Sequence, residues 1–213
     1  MISTTGGVRI GGLGPLRSVL RRWQYLNSRL GTEWARDYLD CPWWYNERAS
    51  LSFFAGAVWS CGGWALEEFS SVKNAPSGAK SRSRRSGRYD LDFAIGSQEF
   101  LAEAKQCWPL LTNPRSARAR LSLSLTHAAR DARAVIPWGL PVLAMVFVTP
   151  RVPASRAAEA GALVGEFLEE AARLPKVTAA WSFPLAARAL SPPDGRWIYP
   201  GVLLLIRKIR KAA

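Results

Sequence analysis

Four residues in one short stretch, Asp90, Asp92, Glu103 and Lys105, have the types and spacing to hold a hard cation beside an ammonium group. They lie in Tyr89 to Gln106 (YDLDFAIGSQEFLAEAKQ), where apolar and polar residues alternate about Gly96-Ser97, the pattern of a β-hairpin. With Gly96-Ser97 as a two-residue turn, Ile95 faces Gln98, Asp92 faces Leu101, Asp90 faces Glu103 and Arg88 faces Lys105. Cross-strand partners share a face. Asp90, Asp92, Glu103 and Lys105 therefore project from one side, and Leu91, Phe93, Ile95, Phe100, Ala102 and Ala104 from the other. A four-residue turn would instead set Asp92 opposite Glu103 and Asp90 opposite Lys105; Gly-Ser suits the shorter turn. Carboxylates about 5 Å apart across a strand pair repel unless a positive charge lies between them. Mg²⁺ or Mn²⁺ answers that need, because these ions keep several waters and take phosphate oxygens in their open positions. Lys105 would reach the same space to orient or deprotonate a metal-bound water, or to neutralise charge on a phosphate. The plainer alternative is a hairpin with its polar side in water, carrying surface ion pairs worth under about 1 kcal/mol.

The segments GRYDLDF and EFLAEAK resemble the PD-(D/E)XK nuclease superfamily, in which an acid on one strand is followed by an E-x-K or D-x-K tripeptide on the next. Tyr89 stands where the family name has Pro. The resemblance spans roughly Cys61 to Thr149 and implies a restriction-endonuclease-like α/β core and metal-dependent phosphodiester hydrolysis. It makes Asp90, Glu103 and Lys105 the expected catalytic residues, with Asp90, Glu103 and Asp92 as Mg²⁺ or Mn²⁺ ligands; whether Asp90 or Asp92 is the first ligand stays open. The family often adds a Glu from a preceding helix, and Glu68, or its neighbour Glu67, in WALEEFS is the candidate.

Elements on both sides must hold this hairpin. Leu16, Leu20, Trp23, Leu30, Trp34 and Tyr38 fall close to helical spacing and predict a helix over 16–39. Asp40-Cys41-Pro42 ends it, and Asn46 is the expected N-cap of a second helix that runs to about Ser71. Trp43, Trp44 and Tyr45 between them are expected to pack in the core, with stacking on bases the alternative. Lys73 to Tyr89 is expected to be a basic loop. Pro114 to Val135 predicts a basic helix with Leu121, Leu125, Ala128, Ala132 and Val135 on its buried stripe. The apolar run Pro141 to Thr149 predicts a central strand covered on both faces, followed by a helix over 154–174 and strands over 177–183 and 201–206. The expected architecture is one domain with a mixed sheet of about five strands flanked by helices. Residues 1–50 form an N-terminal helical extension, 51–150 the nuclease-like core, and 151–213 complete the sheet.

The 213 residues carry a formal charge of +13, from 29 Lys+Arg against 16 Asp+Glu. Such an excess points to a polyanionic partner. Arg82, Arg84, Arg85 and Arg88 before the hairpin and Arg118, Arg130 and Arg133 after it are the expected phosphate contacts, with DNA favoured over RNA and a homodimer as an option. Cys41, Cys61 and Cys107 form no C-x-x-C pair and suit a reducing cytoplasm. His127 stands alone, without the frame of a hydrolase triad. Leu51 to Leu66 is uncharged but shorter than the roughly 20 residues that cross a bilayer, and Met1 to Leu16 lacks an apolar targeting segment, so neither a membrane nor export is expected. The function expected is a Mg²⁺-dependent nuclease, with phage defence or DNA repair as its setting. The alternatives are an inactive nucleic-acid-binding or scaffold protein of the same fold and, last, a protein bound to anionic membranes.

Overall fold

Helical periodicity and strand alternation partition this chain into two layers of helices around one sheet. The computed structural model describes residues 2–74, 84–134, 139–192 and 195–209. In chain order the elements are β1 (Gly6–Arg9), α1 (Arg17–Asp37), α2 (Glu47–Trp59), β2 (Trp64–Asn74), β3 (Arg84–Ile95), β4 (Gln98–Cys107) and α3 (Pro114–Ala134). After them come β5 (Val142–Val148), β6 (Val152–Pro153), α4 (Ala160–Ala172), β7 (Thr178–Ser182), β8 (Trp197–Ile198) and β9 (Val202–Ile209). The main sheet has seven strands in the order β1-β7-β9-β5-β4-β3-β2, not about five, while β6 and β8 make a separate pair. Among the described strands only β4 and β5 pair in parallel, joined through α3, as a parallel pair requires a long crossover.

β5 is buried along its whole length, as its unbroken apolar sequence predicts. Val142, Ala144, Val146 and Val148 face α3 and α4, where they meet Leu121, Leu125 and Phe167. Leu143, Met145 and Phe147 face α1 and α2, where they meet Trp23, Phe54 and Val58. The stripe on α3 is as expected at Leu121, Leu125, Ala128 and Ala132; Val135 lies outside the described residues. Residues 2–50 contribute β1 to the sheet edge and α1 to one core. Among the described residues no helix is long and apolar enough to cross a membrane.

Three elements differ from the sequence expectation. The second helix stops at Trp59 instead of near Ser71, because Gly62 takes a φ of +77° and a Cβ on Gly63 would sit 2.2 Å from the Ala94 carbonyl oxygen. The chain then reverses into β2, so Glu67 and Glu68 stand on a strand. The described parts of the expected basic loop are strand: β2 and β3 pair from Trp64↔Ala94 out to Asn74↔Arg84, and residues 75–83 lie outside the described residues. β1 is hidden in the sequence by its glycines, which are there for close approach, since a Cβ on Gly7 would lie 2.4 Å from the Trp181 ring.

Candidate active site

The β3–β4 hairpin has the register expected of a two-residue turn, from Ile95↔Gln98 to Leu91↔Ala102, with Gly96 at a φ of +58°. Asp92 is thus opposite Leu101, which removes the four-residue alternative. Beyond Leu91 and Ala102 the ladder ends, so the expected pairs Asp90↔Glu103 and Arg88↔Lys105 do not form. β3 continues against β2 alone, and β4 against β5 alone, so the two strands fork.

Glu68 stands where the ribbon turns over. Its φ of +56° is in the left-handed region, at a cost of roughly 1 kcal/mol for a residue with a Cβ. The β2–β3 ladder passes from Glu67↔Leu91 to Phe69↔Tyr89, leaving out Glu68 and Asp90. On one side of this break Ala65 and Leu91 belong to the α1–α2 core; on the other, Phe69 and Tyr89 stack at 6.4 Å in the α3–α4 core. A change of face at one residue carries the outer ribbon away from β4 and opens the fork at Asp90.

Forking strips β4 of partners for its backbone, and a carboxylate replaces one of them. Asp90 Oδ2 accepts the Ala104 N–H at 2.7 Å, a short charge-assisted bond. Glu47, the first residue of α2, lies beside the same stretch of β4, where the Gln106 backbone and the Lys105 charge favour its ionised form. Asn46 caps that helix as expected, its side chain accepting from the Ala49 N–H at 3.0 Å, and so aims the first turn at the fork. Burial pushes the Glu47 carboxyl above its ordinary pKa, and nearby Lys105 partly offsets this.

Lys105 projects from β4 between these acids and α3, where its Nζ lies 3.2 Å from Asp131 Oδ2. Burial works to lower its pKa. The Asp131 hydrogen bond, with the charges of Asp131, Glu47 and Asp90, outweighs burial and holds the ammonium above its usual value. Asp131 is correspondingly held below the ordinary carboxylate range: burial opposes this, but contacts to Lys105 and Arg130 prevail. Glu103, two residues before Lys105, is buried at 3% exposure and sits beside Ala144 of β5.

The other expected residues are placed differently. Glu68 is not on a helix; it forms ion pairs with Arg48 at 3.0 Å and Arg88 at 3.1 Å. Asp92 is 7% exposed, its Oδ1 has no hydrogen-bond partner, and burial followed by the charge of Glu99 raises its pKa to about 6. Its charged neighbour lies toward the hairpin tip, away from the fork. Among the described residues no group of three or more His, Cys, Asp or Glu side chains is placed to hold a metal ion. Arg118 pairs with Glu170 at 3.3 Å and Arg130 with Asp131 at 3.2 Å, while Arg133 is solvent-exposed on α3. Arg84 and Arg85 lie on β3, and Arg82 falls outside the described residues. All three cysteines are free; burial pushes the Cys107 thiol up to about 11 and the Cys41 thiol up as well, so neither is a ready nucleophile.

Sequence reasoning missed Glu47 and Asp131. A signal existed for each. Glu47 directly follows the N-cap Asn46, and Asp131 is the lone acid of an otherwise basic helix, Pro114 to Ala134. No protein-family model, curated protein or solved structure matches the chain.

Proposed function

We propose that the chain is a metal-dependent hydrolase of nucleic-acid phosphodiesters, of the PD-(D/E)XK type. The observation that carries this reading is the fork between β3 and β4, where Asp90 takes the freed N–H of Ala104 beside the Lys105 ammonium, with Glu47 close enough to feel both charges. The order helix, three antiparallel strands, helix, parallel strand, from α2 to β5, supports it, since the resembled family places its acids and lysine on such a frame. Glu47 on α2 takes the part first given to Glu68.

Asp90, with Glu47 near enough to act on the same Lys105, offers carboxylate oxygens for a hard cation held loosely, and Mg²⁺ is commonly bound by one or two carboxylates, with water and substrate phosphate completing its shell. When bound, the ion would supply Lewis-acid stabilisation and a more acidic water. Lys105, kept charged by Asp131, is a donor and not a base: it orients a phosphate oxygen and stabilises the negative charge that develops there. Asp131 positions that ammonium. Exposed Arg88, Arg118 and Arg130 hold only surface ion pairs, worth under about 1 kcal/mol, and exchange them readily for backbone phosphates.

A binding-only reading draws on the lack, among the described residues, of a preformed three-carboxylate group and on the existing Lys105–Asp131 pair. Incubation of the purified chain with labelled DNA and RNA, with Mg²⁺, Mn²⁺ or chelator, separates the two. The expected result is metal-dependent cleavage that falls roughly 10²- to 10³-fold in Lys105→Ala. Undiminished cleavage in that variant refutes the site. Salt-sensitive binding without cleavage, and no Mg²⁺ uptake by calorimetry, establishes the binding-only reading.

A further inference from the structure

Between α1 and α2 lies a surface that the hydrolase reading does not use. Trp43 is buried, and its ring rests where Gly31 of α1 leaves room: a Cβ there would be 2.3 Å from the indole. Trp43 Nε1 donates to the Tyr199 carbonyl at 3.0 Å, while the Trp43 carbonyl accepts from Thr149 Oγ1 at 2.9 Å and Gln106 Nε2 at 3.3 Å. These bonds fasten the segment to β4 and β5 at the residue after Lys105.

Trp44, next in the chain, is half-buried against the α1–α2 core, and Tyr45 turns outward. Trp44 meets Tyr45 edge-on at 6.4 Å and Tyr199 edge-on at 6.2 Å. Tyr45 is 51% exposed and Tyr38, at the end of α1, is 73% exposed. Together with Leu39 and Pro192 they line an open groove of about 430 Å³. Its one carboxylate, Asp40, is already engaged by the Tyr45 hydroxyl and the Cys41 N–H, both at 2.6 Å. Trp44 is three residues from Glu47, so their Cα atoms are no more than about 11 Å apart.

We infer that the Trp44, Tyr45 and Tyr199 shelf stacks unpaired bases, which makes single-stranded nucleic acid the substrate class of the neighbouring site. The inference rests on the proposed hydrolase reading for what happens at the fork, but the shelf itself is argued from its rings. Aromatic faces stack on any base, and only unpaired bases have faces to offer, because those of a duplex are covered by their neighbours. Edge-on contacts and backbone anchors hold the rings before a ligand arrives, so little order has to be created on binding. The chain's charge of +13 supplies the attraction for phosphates, and the continuity of Tyr45, Asn46 and Glu47 ties stacked bases to the phosphate at the fork.

Fluorescence anisotropy in chelator tests this independently of cleavage, using a labelled oligothymidine, a duplex of equal length and fixed salt. The native chain is expected to bind the single strand at least tenfold more tightly than the duplex. Trp44→Ala is expected to weaken single-strand binding about tenfold and to leave duplex binding unchanged. Tyr45→Ala, at an exposed position where folding is not at stake, is expected to weaken it in the same selective way. Equal affinity of the native chain for the two forms overturns the inference. So does unchanged single-strand affinity in both variants when their melting temperatures match that of the native chain. Absence of Mg²⁺-dependent cleavage, measured separately, would sink the hydrolase reading and leave a single-strand preference in chelator intact.

Discussion

Replacing Asp92 by Asn should make this protein more stable at neutral pH and not at acid pH. Asp92 sits on β3 between Leu66 of β2 and Leu101 of β4, is 7% exposed, and leaves Oδ1 without a hydrogen bond. Burial first, and then the charge of Glu99, raises its pKa from 3.8 to about 6. The native state therefore holds the proton more tightly than the unfolded chain. Stability is highest below the unfolded pKa, falls as pH rises from about 4 to about 6, and is level above that range. The gap between the two values corresponds to about 3 kcal/mol. Asn cannot ionise, so its buried amide adds only an offset that does not vary with pH. Urea unfolding of both proteins from pH 4 to pH 8 gives the difference between them. That difference should move by about 2.4 kcal/mol in favour of Asp92→Asn between pH 4 and pH 7, part of the change being already complete at pH 4. A difference constant within 0.5 kcal/mol would refute the desolvation argument. The same titration with Mg²⁺ bears on the ligand role first expected for Asp92: if Mg²⁺ stabilises the native chain but not Asp92→Asn, the residue is a ligand and the reasoning from burial fails.

Asp131→Asn should lower the Lys105 pKa, because the contact that offsets burial is removed; titration of the lysine Nζ by NMR reads this directly, and an unmoved Lys105 would refute the pairing. Gly31→Ala should cost about 1–3 kcal/mol in chemical denaturation, since its Cβ would meet the buried Trp43 ring at 2.3 Å and the ring has no space to retreat. Leu39→Gly should add about 1 kcal/mol, because Leu39 ends α1 at a φ of +54°, where glycine carries no steric penalty. A melting temperature unchanged by either glycine exchange would refute the corresponding claim.

Much of the hairpin was legible in the sequence because its determinants are local. A two-residue Gly-Ser turn fixes register, and period-two alternation fixes which side chains share a face, so Asp92↔Leu101 follows from the chain alone. The stripe of α3 and the doubly covered β5 are equally local, since the apolar pattern of each element repeats at its own period. An uncharged run from Leu51 to Leu66 misled the reading, because composition outweighed the tandem Gly62-Gly63 that stops the helix.

The site itself was legible only in part. Asp90, Glu103 and Lys105 stand together by sequence, but Glu47 and Asp131 join them from two helices on opposite sides of the sheet, and no local period links residues so far apart. The fork was also beyond local rules. It arises because Phe69 and Tyr89 find their apolar contacts in the α3–α4 core while Ala65 and Leu91 find theirs in the α1–α2 core, and Glu68 takes a left-handed turn to let one ribbon serve both. The sequence alone determines which residues alternate and where the chain turns. Tertiary packing decides where the strands part and which distant charged groups, Glu47 and Asp131, gather about Lys105, while the Ala104 N–H left open at the fork finds Asp90, because unpaired backbone donors in a half-buried sheet must find acceptors.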